Sequence, residues 1–124
     1  MAKPRVLYVG LDPDLLDPKE VPGFDRAVVA AGIRTAMDQL ESNGFEATWC
    51  AVDRGETAEA TLSRALDGTS YACVVIGAGL RVSPMNFELF ERLINVVHAR
   101  AAGARIAFNT KPTDTLEAVQ RQLR

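Results

Sequence analysis

The chain has 124 residues, 48% of them hydrophobic and 24% charged, with a net charge of −2. That length suits one domain spanning 1–124, able to bury a core of its own, and the balance is that of an ordinary globular protein rather than a disordered one. No run of Lys or Arg marks a nucleic-acid-binding face, and the longest apolar run, Tyr71 to Leu80, is far short of the roughly 20 residues of a membrane span.

The first predicted strand is Arg5–Gly10. Lys3 and Arg5 precede an apolar stretch, but Asp12-Pro13-Asp14 breaks it too early for a signal-peptide core, so a cytoplasmic protein is the expectation. The loop Leu11–Gly23 carries Pro13, Pro18, Pro22 and four acidic residues and exceeds the usual two to six residues of such a connection, as a lid or a surface decoration would. A helix near 24–43 follows, with Val29, Ile33, Ala36, Met37 and Leu40 at helical spacing and Asn43-Gly44 as its stop. The second strand, Phe45–Val52, sets Phe45, Ala47 and Trp49 against Glu46, Thr48 and Cys50 in alternation. Asp53 and Arg54 after it read as surface residues.

Thr57 opens a helix near 56–67, which Gly68 closes. The third strand, Tyr71–Ile76, is apolar throughout and runs into Gly77-Ala78-Gly79-Leu80-Arg81-Val82-Ser83. Ser83-Pro84 then predicts a helix over 84–101, with Gly103 as its stop. The fourth strand, Ala104–Asn109, contains Arg105, and Asp114 with Glu117 reads as a capping box for a last helix over 114–123.

Strands alternating with helices mean βαβ units and a parallel sheet. Central parallel strands are apolar on both faces, whereas edges admit polar residues. Segments one and three are the apolar ones, so the expected fold is an α/β three-layer α/β/α sandwich with a four-stranded parallel sheet in the order 2-1-3-4, as in flavodoxin-like and receiver-like folds. That order keeps Cys50 and Cys73 two strand spacings apart, about 9–10 Å, too far for a disulfide, and both read as buried reduced thiols.

The order also puts the chain reversal between strands one and three, where open α/β sheets bind ligands beyond the carboxyl ends. Gly10-Leu11-Asp12 and Gly77-Ala78-Gly79 form the expected walls. Gly77, Gly79, Arg81 and Ser83 offer backbone N–H groups, a guanidinium and a hydroxyl, which suit either an anion cradle or a tight strand-to-helix turn. Gly10, Asp12, Asn109 and Lys111 would line the rim, Lys111 as a phosphate contact or a solvated cation. No motif names a cofactor, and no metal-ligand spacing or nucleophile elbow occurs; His98 has no partner for base or ligand chemistry.

Asp12-Pro13-Asp14 with Asp17 resembles the Asp-x-Asp opening of haloacid dehalogenase-type phosphatases, but Leu16 stands where that family carries a hydroxyl. Asp12 and Lys111-Pro112 are similar to the receiver domains of two-component signalling, yet Gly77 occupies the place of their phosphoacceptor. A flavodoxin's Ser/Thr-rich phosphate loop is replaced by Leu11-Asp12-Pro13-Asp14. Over its whole length, through Val9-Gly10-Leu11-Asp12-Pro13, Val74-Val75-Ile76-Gly77-Ala78-Gly79 and Phe108-Asn109-Thr110-Lys111-Pro112, the chain resembles small bacterial proteins of flavodoxin-like fold. That resemblance implies the scaffold and brings no assigned activity.

The third predicted helix is apolar over about half its circumference, through Phe87, Phe90, Leu93, Ile94 and Val97 among others. Beside an edge strand and with no helix next to it, such a surface predicts a homodimer through those five residues and the fourth-strand edge. Three functions are open at this point: a domain binding a small anionic ligand, such as one containing a phosphate or a nucleotide, in a crevice at the carboxyl ends of strands one and three; a non-catalytic, receiver-like dimerisation and interaction module; and, third in order, a metal-dependent phosphohydrolase.

Overall fold

The computed structural model describes residues 2–16 and 25–124. Within them four parallel strands, β1 (Arg5–Leu11), β2 (Glu46–Val52), β3 (Cys73–Ile76) and β4 (Arg105–Phe108), form one sheet in the order β2-β1-β3-β4. The expected order therefore holds, and for the expected reason. Every residue of β3 is buried, as is β1 beyond Arg5, while β2 and β4 expose alternate or terminal positions as edge strands do.

Helices α1 (Arg26–Ser42) and α5 (Thr115–Leu123) cover one face, where Tyr8, Cys73 and Val75 meet Ile33, Leu40 and Val119. Helices α2 (Ala58–Leu66) and α4 (Phe87–Arg100) cover the other, where Leu7, Val9 and Ile76 meet Leu62, Leu93 and Val97. The result is a three-layer α/β/α sandwich of flavodoxin-like topology. Cys50 belongs to the α2/α4 face and Cys73 to the α1/α5 face, so the sheet itself separates the two free thiols.

The helix stops lie where the sequence put them, because Gly44 and Gly68 take φ of +90° and +73°, a region glycine enters without strain. The starts differ. Thr57 makes no side-chain cap for α2; instead the Asp53 carboxylate accepts the Gly55 and Thr57 N–H groups and the Thr57 hydroxyl. Asp114 turns back as well, taking the Thr110 and Lys111 N–H groups rather than capping α5, so no capping box with Glu117 forms.

The stretch after β3 departs most from the expectation. Ala78–Arg81 coils into a short helix, α3, and Ser83-Pro84 opens only a 3-10 turn over Pro84–Asn86, so α4 begins at Phe87. Leu80 is drawn into the core with no surface exposed, and side chains from elsewhere hold the turn's ends. Asn109 accepts the Ala78 N–H at 2.9 Å, and Asn86 donates to the Gly79 carbonyl at 3.0 Å.

Helix α4 also corrects the proposed interface. Leu89, Leu93 and Val97, spaced four apart, are its inward face and are 3%, 0% and 1% exposed, so Leu93 and Val97 cannot meet a partner. The missing neighbour is α2, which packs beside α4 and shares its apolar surface. Phe90 and Ile94 are half-buried against that core, and only Phe87, 64% exposed, stands clear of it. No helix among the described residues is long and apolar enough to cross a membrane.

Candidate functional site

A crevice of about 220 Å3 opens at the carboxyl edge of the sheet, between α1 and the ends of β1, β3 and β4. Its inner wall is aromatic. Tyr8 and Trp49 are register partners on adjacent strands, so both point to the α1 face, and their rings meet edge to face at 5.0 Å and 79°. Gly10 makes that possible: a Cβ there would lie 2.6 Å from the Trp49 ring. Val29 and Ile33 of α1 form the opposite wall, and Leu16, Val82 and Pro112 complete the apolar lining.

Of the expected site residues, Gly10, Gly77, Gly79, Asn109 and Lys111 line this crevice, and Asp12, Arg81 and Ser83 do not. Asp12 uses its carboxylate on the Asp14 N–H at 3.0 Å, starting the 3-10 turn Pro13–Leu15. Arg81 swings away to donate to the Asn109 carbonyl at 2.6 Å, with its guanidinium 5.7 Å from the Phe108 ring centroid. It fastens α3 to the end of β4, leaving its buried Nε without an acceptor among the described residues. Ser83 caps nothing with its side chain. The anion cradle of Gly77, Gly79, Arg81 and Ser83 is thus taken apart: its glycines face the crevice, its cation and hydroxyl do not.

The crevice floor is held by Asn109, which is 1% exposed. Its Oδ1 accepts the Ala78 N–H, and its Nδ2 donates to the Tyr8 and Thr115 hydroxyls, each at 2.9 Å. Thr115 in turn donates to the Pro112 carbonyl at 2.7 Å. One amide thereby ties β1, α3, α5 and the turn after β4 together, and both of its ends are occupied within the protein. Burial raises the Tyr8 pKa, with the Thr115 and Asn109 hydrogen bonds offsetting it in part, so the phenol stays neutral at physiological pH.

Lys111 is exposed at the mouth and is the cation of the lining. Burial works to raise the pKa of neighbouring Asp114, but hydrogen bonds from Thr110 and Lys111 and the Lys111 charge outweigh it and hold that carboxyl below its ordinary value. The turn carrying Leu16 is fastened from two sides. Arg26 donates to the Leu16 carbonyl through Nε and Nη2 at 3.1 and 3.0 Å, and Arg54 donates to the Leu15 carbonyl at 3.0 Å and to Asn86 at 3.3 Å. Arg54 is therefore half-buried and structural, which corrects its reading as a surface residue.

Among the described residues no three His, Cys, Asp or Glu side chains gather as a metal site would require. Asp17, the third member of the suggested acidic set, lies outside the described residues. Tyr8 and Trp49 are the site residues the sequence reading missed. The signal was present, since the order β2-β1 with matched alternation puts Trp49 beside Tyr8 on one face. Comparison of the chain with protein-family models and with curated proteins returns no match.

Proposed function

We propose that this is a small-ligand-binding domain whose crevice, at the carboxyl ends of β1 and β3, takes a ligand bearing an anionic group. The observation that supports it is the coincidence of an aromatic-walled crevice with the point where the strand order reverses, the usual ligand position in open α/β sheets. Lys111 supplies the anion preference at the mouth, and Gly77 and Gly79 bring backbone close to the bound group. We place the protein with the small cytoplasmic bacterial proteins of flavodoxin-like fold that its sequence resembles. Thermal shift of the full chain against phosphates, nucleotides and carboxylates tests the ligand reading, because a ligand bound only by the folded state raises its melting temperature. A flat response across such a panel at millimolar concentration would overturn it.

A second reading, a homodimer that buries an apolar edge, has an observation of its own. Phe108 on the open edge strand β4 is 38% exposed and packs on Phe90, with centroids 5.9 Å apart, and Phe90 is one helical turn from the exposed Phe87. Such an apolar strip beside an uncovered strand suits a two-fold contact with a second copy. The dimer reading now rests on Phe87, Phe90 and Phe108, with Ile94 behind them.

A further inference from the structure

We propose that the crevice takes a single aromatic ring carrying one carboxylate, an acid of the size of benzoate or phenylacetate, in preference to a nucleotide. This rests on the ligand-binding reading above and narrows it by three observations. The first is volume. A cavity of roughly 150 Å3 accommodates benzene, whereas drug-sized ligands occupy about 300–1,000 Å3. The crevice's volume of about 220 Å3 lies between them, room for one ring and a short substituent.

The second is the character of the walls. Tyr8 and Trp49 present aromatic surface on one side and Val29 and Ile33 present aliphatic surface on the other, an environment that rewards a ring in an offset or edge-on stack. A ribose or a triphosphate placed there would exchange hydration for hydrocarbon. The third is the fate of the polar groups. Asn109 is occupied at both ends, Arg81 is committed to the Asn109 carbonyl, and Ser83 lies off the lining, so the convergent donors a phosphoryl group requires are absent from the described lining. Among the described lining residues Lys111 is the one that brings positive charge, which matches one carboxylate at the end of a ring that points inward.

Trp49 is the only tryptophan in the chain and stands in the crevice wall, so its emission reports occupancy directly. Benzoate, phenylacetate, benzyl alcohol, AMP and inorganic phosphate are each titrated into the full-length protein, with Trp49 fluorescence and melting temperature read together. The expected result is a saturable emission change and a raised melting temperature with the two acids, and weaker binding of the alcohol. Lys111→Ala should weaken the acids about fivefold, as loss of an exposed ion pair does, and leave the alcohol unchanged. Val29→Phe, which fills the crevice from α1, should abolish both responses while the variant still melts cooperatively. Saturable binding of AMP or phosphate with the acids silent would overturn this inference and leave the ligand-binding reading standing. Equal binding of acid and alcohol, insensitive to Lys111→Ala, would overturn the carboxylate assignment. Silence from all five compounds would overturn both.

Discussion

Asn109 illustrates how much of the site depends on one side chain. Removing its amide leaves the half-buried Ala78 N–H without its acceptor and the buried Tyr8 and Thr115 hydroxyls without their donor. Each such orphan costs about 1–3 kcal/mol, with partial relief if water enters, so Asn109→Ala should lose about 2–4 kcal/mol in urea denaturation. Asn109 could be picked from the sequence as a residue near the site, but its structural role could not, since its partners lie 101, 31 and 6 positions away. Gly10 is a second case. A methyl group there meets the Trp49 ring at 2.6 Å, and because β2 is an edge strand the ring has somewhere to go. Gly10→Ala should therefore fold with a loss of about 1–3 kcal/mol, and the emission of Trp49 should shift to longer wavelength as its ring moves toward solvent.

Among the elements, strands were more legible than helix starts. The four strands and their order follow from a simple physical difference, full burial against alternation, that the pattern of apolar and polar residues displays. Helix α3 was invisible to any periodicity, because four residues hold no repeat and because its ends are fixed by Asn109 and Asn86 from outside the segment. Gly79 within it has nothing within 4 Å of where a Cβ would stand, and its φ is not positive. Gly79→Ala should thus raise stability by about 0.4–1 kcal/mol through the unfolded chain's lost freedom, measured by chemical denaturation. The turn before α5 has a pH signature. The Asp114 carboxyl is depressed by its bonds to Thr110 and Lys111, so its contribution is complete above the ordinary carboxylate value near pH 4 and is lost as pH falls through the lower folded value. A melting-temperature titration from pH 6 to pH 2 should show this acid-side loss, and Asp114→Ala should reduce it, leaving the share of the likewise depressed Asp53, at a cost of about 1 kcal/mol at neutral pH.

For the whole molecule, the same strand order that locates the crevice leaves β4 uncovered, so the ligand reading and the dimer reading draw on opposite ends of one topological fact. Their tests are separable. Phe87→Asp puts a charge into the apolar strip far from Trp49's wall; sedimentation at micromolar concentration should show dimer for the natural chain and monomer for the variant, with acid binding retained. The strand order legible in the sequence predicts a crevice at this edge of the sheet, but the place of Arg81 was not legible, since whether it faces the crevice or the end of β4 depends on a carbonyl that only the folded chain brings within 2.6 Å. The sheet's division of the interior has one more consequence. Burial pushes both thiols up to about 11, with Arg105 partly opposing this at Cys73, so neither is a nucleophile at neutral pH while its layer stays closed. Each layer consequently carries its own chemical clock. Alkylation of Cys50 times the lifting of α2 and α4, alkylation of Cys73 times the lifting of α1 and α5, and the ratio of the two rates under native conditions measures whether the sandwich opens as one cooperative body or one leaf at a time.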